Sequence, residues 1–198
     1  MTGVADALSE GAGMETFDQL DELKQDLEIL DWDAIEAKYR ALAADEAGSK
    51  VAKQVAEVDL TAYQSELAEC LSQALEAARD SDAEAVYFEY DMDNDWSGWF
   101  FVCESYNAEG DCDDEWATEY DEEVEGPSLP AFAKLFSKHG GMGGQGGGSS
   151  VTAYLVARTV ASLGRCVQQT SKNGVAVCMG FHDQDPVWRL HKPEDGED

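Results

Sequence analysis

The chain has 198 residues, 43% of them hydrophobic, and its 42 Asp and Glu against 13 Lys and Arg leave a formal net charge of -29. That length makes one domain the starting expectation and supplies enough apolar material for a core, so the charge belongs on a solvated exterior and not to a disordered chain. A surface of this sign repels nucleic-acid phosphates and anionic membranes, which excludes direct binding to either without a bridging cation.

The opening residues, MTGVADALSEGAG, have neither the basic stretch nor the apolar run of a secretory signal, and no segment approaches the length needed to span a bilayer. The five cysteines, Cys70, Cys103, Cys112, Cys166 and Cys178, are odd in number and lack metal-ligand spacing. They read as reduced thiols and place the expected location in a cytoplasm, with a Cys103–Cys112 disulfide as the alternative.

Residues 1–14 are small and polar and predict a disordered tail, followed by a single domain over 15–191. Thr16 and Gln19 form a capping box ahead of Phe17, Leu20, Leu23, Leu27 and Leu30, which predicts an amphipathic helix over 16–30. Asp33 and Glu36 begin a second helix with Ile35, Tyr39 and Leu42 on its apolar stripe, ending near Gly48. Thr61 and Gln64 begin a third, in which Tyr63, Leu67, Leu71 and Leu75 share a face as far as Arg79. The period then changes to two. Val86, Phe88 and Tyr90, then Phe100 and Val102, predict two strands of a β-hairpin turning at Asp93–Asp95. A short strand is expected at Trp116–Tyr120, and a brief helix opening at Ser128 and Pro130 carries Phe132, Leu135 and Phe136. Seven glycines in the nine positions from Gly140 to Gly148 predict a flexible loop over 140–149. A long helix runs from Ser149 or Ser150 to about Thr170, and a hairpin of 175–181 and 187–191 precedes an acidic tail over 192–198. The fold class is α+β, with N-terminal helices packed on a small, mainly antiparallel sheet, a further long helix and a C-terminal hairpin.

Between Asp80 and Ala133 lie eighteen Asp and Glu residues and no Lys, Arg or His. Ordinary surfaces intersperse both signs, so a single-sign block steers or repels a partner. Its aromatic residues give an acidic rim around apolar anchors, and the candidate binding residues are Asp91, Asp93, Asp95, Trp96, Trp99, Asp113, Asp114, Glu115, Trp116, Asp121, Glu122 and Glu123.

Other chemistries are less well supported. Asp91, Asp93 and Asp95 match the first ligand positions of a calcium loop, but Trp96 stands where that loop needs glycine and Val102 where it needs glutamate. Gly141, Gly143 and Gly146 match a phosphate-loop spacing with no strand leading in. Cys178 and His182, at i and i+4 of one strand segment, would stand about 13 Å apart, too far for proton transfer. No catalytic residue, metal site or cofactor is assigned.

In general character, and not through any motif, the chain resembles the small acidic immunity proteins that bacteria keep against nuclease-type toxins. That resemblance implies a non-enzymatic protein that neutralises a basic protein partner. The alternatives are general acidity suited to a salt-rich habitat, with an unrelated function, and a metal-dependent hydrolase built on the Asp91–Asp95 turn.

Overall fold

The computed structural model describes residues 3–29, 31–107, 115–144, 147–172, 174–182 and 187–193, with the side chains of 3–14 excepted. The described chain is α+β, as expected, but it divides into two compact units whose segments interleave. One unit comprises Met1–Asp59 and Pro130–Ser162, the other Leu60–Leu129 and Leu163–Asp198. The acidic tail, apart from residues 192–193, lies outside the described residues.

The first unit is helical. Helix α1 spans Gly3–Asp26, so it starts well before the box at Thr16. Thr16 is fully buried within it, and its hydroxyl donates to the Met142 carbonyl at 3.1 Å. Helix α2, Trp32–Ala43, is capped by Asp31, whose carboxylate accepts the Ala34 N–H at 2.7 Å, two positions before the expected cap. It continues through a π-helical turn, Ala44–Gly48, into α3, Ser49–Ala56, which the sequence did not announce. Asp26 is buried, and its charge is met by Lys38 Nζ at 2.6 Å and by the Tyr39 hydroxyl, which donates at 3.0 Å.

Helix α5, Pro130–Lys138, buries Phe132 and Phe136. The glycine segment supplies a 3-10 turn, Gly141–Gly143, and the start of α6, Gly148–Gln169, while residues 145 and 146 lie outside the described chain. A side chain at Gly144 would collide with the His139 carbonyl, and one at Gly147, where φ is +88°, with the backbone of Glu46 and Ala47. Close backbone approach is what glycine provides here. Residues 149–162 of α6 are buried, including Ser150, Thr159 and Ser162, whose hydroxyls donate to backbone carbonyls three or four residues earlier.

The second unit holds α4, Thr61–Asp80, and a five-stranded sheet. Its strands are β1 Ala85–Asp91, β2 Ser97–Cys103, β3 Tyr120–Glu125, β4 Ala176–Phe181 and β5 Trp188–His191, in the order β3-β2-β1-β4-β5. The hairpin of β1 and β2 matches the expectation, with Phe88 opposite Phe100 and Val86 opposite Val102. The next strand does not: Glu115–Thr118 is a 3-10 turn that buries Trp116 and Ala117, and the strand follows it. Strand β4 pairs with β1 in parallel, so the sheet is mixed. Residues 183–186, where the sequence predicts the turn between β4 and β5, lie outside the described residues.

Register assigns the sheet two faces. Val86, Phe88, Tyr90, Phe100, Val102, Val177, Met179 and Phe181 share one, all buried, and α4 packs along β1, β2 and β3 with Tyr63 beside Tyr90. Gly98 is required there, since a Cβ would run into the Phe88 ring. The other face carries Ala85, Tyr87, Cys103, Ala176 and Cys178, closed over by Trp116, Ala117 and Val187 with Tyr106 and Phe101 at the margin. Burial in this cluster pushes the Cys103 thiol up to about 12.

Candidate functional site

The cover on the second face stops partway. Tyr106 and Tyr87 meet the Trp116 ring edge-on at centroid distances of 5.3 and 6.4 Å, and Trp116 and Tyr106 lie over the Ala85–Cys103 end of the sheet. Toward the other end the same face bears Glu89, Trp99 and Glu125 in one cross-strand row and Tyr87, Phe101 and Glu123 in the next. Trp99 is 37% exposed and Tyr120 45%, and the Tyr120 ring lies 4.3 Å from that of half-buried Phe101. An apolar strip on β2 and β3 is therefore flanked by the carboxylates of Glu89, Glu123 and Glu125. Glu89 itself accepts from or donates to His182 Nδ1 at 2.9 Å according to which partner holds the proton.

The structure distributes the twelve predicted residues differently from the sequence reading. Trp96 is wholly buried, with its ring 5.5 Å from Tyr90, and Trp116 is core on the opposite face, so neither can serve as an exposed anchor without unfolding its surroundings. Asp91 is spent on the hairpin turn: one carboxylate oxygen accepts the N–H groups of Asp93 and Asn94 at 2.9 and 3.2 Å. Asp93 and Asp95 are exposed on that turn, and Glu115 on its own turn. Trp99 and Glu123 share the open face of β2 and β3, Asp121 sits at the register irregularity and Glu122 lies on the opposite face, while Asp113 and Asp114 lie outside the described residues. Phe101, Tyr120, Glu89 and Glu125 were not singled out. Strict alternation along β2 would have found Phe101, because it must share a face with Trp99, away from the buried 100 and 102.

Acidic groups crowd together at the irregularity in the β2–β3 register between Val102 and Cys103. There Glu104 shares a hydrogen bond with Asp121, and that bond, the Asp121 charge and the nearby Glu119 hold the Glu104 carboxyl above its ordinary value. A carboxyl raised in the folded state favours folding while protonated and loses that contribution as pH rises from the ordinary value through the raised one. Glu104→Gln, whose amide still donates to Asp121, is therefore expected to melt above the parent at pH about 7 and to match it near pH 4. Thermal unfolding followed by circular dichroism at the two pH values checks this. A variant no more stable at neutral pH would show that the two carboxyls do not strain each other.

Among the described residues, no three His, Cys, Asp or Glu side chains converge in a way that could hold a metal ion, and no helix is long and apolar enough to cross a membrane. Cys178 is buried under Trp116, and His182 is turned to Glu89, so the spacing noted in sequence brings no nucleophile to a base. Comparison with protein-family models, with curated proteins and with solved structures finds no match to this chain.

Proposed function

We propose that this protein is a non-enzymatic binding module that docks a basic protein partner on the open part of its second sheet face. The observation that carries this reading is the exposure of Trp99 and Tyr120 beside Phe101, rimmed by Glu89, Glu123 and Glu125, within a block from Asp80 to Ala133 that contains no cation. Aromatic rings at the centre of such a patch supply affinity, and a single-sign rim supplies steering and rejects partners of like charge. Neutralising a nuclease-type toxin would be one form of this activity, because an enzyme that holds nucleic acid must present a basic surface. Nucleic acid and anionic lipid are repelled by the same field, and the setting is a cytoplasm, where the thiols of Cys70, Cys103 and Cys166 stay reduced.

The test uses a partner captured from the native host at low salt. Reversing Asp121, Glu123 and Glu125 to Lys is expected to slow association tenfold or more and to flatten its salt dependence, while Trp99→Ala speeds dissociation about thirtyfold, the equivalent of about 2 kcal/mol. Equal binding by both folded variants would remove the support for this surface.

A further inference from the structure

We infer that the partner is bound as an added strand, an extended basic segment pairing with the outer edge of β3. This inference rests on the docking surface proposed above and adds its mode and the chemistry of the bound segment. Strand β3 ends the sheet order, so among the described residues only its inner edge is paired. Which of its backbone groups face outward follows from Gly98, which donates its N–H to the Pro127 carbonyl at 3.2 Å and accepts the Gly126 N–H at 2.8 Å. Gly98 thus turns both groups toward the β3 side. Backbone groups alternate sides along a strand, so Phe100 and Val102 do the same, and their register partners Val124 and Glu122 carry the bonds to β2. Glu123 and Glu125 are left with N–H and C=O directed at the open edge.

Acidity alone would not identify an occupant, since charge on an edge strand commonly serves only to prevent aggregation. Here the outward backbone groups belong to the two residues whose side chains share a face with exposed Trp99 and with Phe101. A strand laid along β3 places alternate side chains directly beside Glu123 and Glu125, with the intervening ones beside Glu122 on the opposite face. Lys or Arg at the first set pairs with the carboxylates and lays its aliphatic stem over the rings. A second copy of β3 would instead set Asp121, Glu122, Glu123 and Glu125 against themselves, which disfavours self-pairing. The occupant is therefore an extended segment with cations at every second position.

The probe is a synthetic heptapeptide of alternating Lys and Thr, added to the full-length protein and compared with the same peptide N-methylated at each Lys, which keeps the charge and removes those backbone donors. The parent peptide is expected to bind, to slow hydrogen exchange at the Glu123 and Glu125 amides about tenfold or more, and to lose about tenfold in affinity on N-methylation. Glu123→Pro removes the outward N–H while Glu122 and Val124 keep β3 on β2, and it should weaken binding more than Glu123→Gln, which removes a charge and keeps the donor. Equal affinity for the two peptides with unchanged exchange would overturn strand addition and leave a purely electrostatic contact on the same surface. Protection of these amides that depends on protein concentration without peptide would overturn it in favour of self-pairing. Failure of the parent peptide to bind, while the charge-reversed and Trp99 variants still discriminate a captured partner, would likewise overturn strand addition but not the docking surface. Loss of that discrimination is the separate result that removes the surface itself.

Discussion

Arg158→Ala is expected to lower the stability of the first unit by about 3–5 kcal/mol, a fall in melting temperature of about 10 °C or more. The guanidinium is nearly buried, donates through Nη1 to the carbonyls of Val55 at 2.6 Å and Val58 at 3.2 Å, meets Glu36 through Nε at 3.3 Å and lies 5.6 Å from the centroid of the Phe132 ring. Val55 stands in the last turn of α3 and Val58 just beyond its end, where carbonyls lack full helical pairing, although the Val55 carbonyl also accepts the Val58 N–H at 3.3 Å. Truncation would remove both carbonyl hydrogen bonds, the ion pair with half-buried Glu36 and the guanidinium packed on Phe132 at once. Lys at the same position keeps the charge but cannot fork toward carbonyls and carboxylate together, so Arg158→Lys should recover less than half of the loss. Urea and thermal unfolding of both variants decide the matter, and a shift of Arg158→Ala within about 2 °C of the parent would show that water replaces the guanidinium without penalty.

The second large effect is expected at Trp96. Removing a fully buried indole costs about 3–5 kcal/mol through lost transfer energy and the cavity left behind. A particular signature separates this from an ordinary core truncation. Trp96 has φ of +54° and Asp95 has +52°, a left-handed pair in which a bulky residue is strained. Glycine removes one more carbon than alanine yet fits that backbone, so Trp96→Gly should be no less stable than Trp96→Ala, the reverse of the usual order. Should alanine prove clearly the better tolerated, the turn must relax out of the left-handed region when the ring is gone. Either variant is expected to unfold the protein more easily and not to weaken docking directly, which is the opposite of what an exposed anchor would do.

Trp96 also marks the limit of what composition reveals. A tryptophan amid aspartates reads as an anchor within an acidic rim, because neighbouring charge is visible in the sequence and the direction of a side chain after a turn is not. Two left-handed residues turn this one inward. Trp116 was misread for a related reason, since a 3-10 turn buried it against the sheet where a strand was expected. Strands β1 and β2 and the stripes of α2, α4 and α5 were legible because their own periodicity specifies a buried face. Strand β3, YDEEVE, sets only Tyr120 and Val124 as strand formers among four acids and is paired with β2 in the sheet, and α3 offers only Ala52 and Val55 as buried residues. The division into two units was hidden because each is assembled from separated stretches of chain, with no linker composition between them.

The parallel pairing of β1 with β4 has a consequence during synthesis. The meander of β1, β2 and β3 is complete once Glu125 has emerged, but the partner for Ala85–Tyr90 begins only at Ala176. Until then the nascent chain carries an apolar strand edge with Val86, Tyr87 and Phe88 next to it, the kind of edge that recruits other unfinished chains. A ribosome halted anywhere between β3 and β4 would release a product that is sticky as well as incomplete. Loss of the last strands should accordingly reach the cell as aggregation, not as a shortened but tolerated protein.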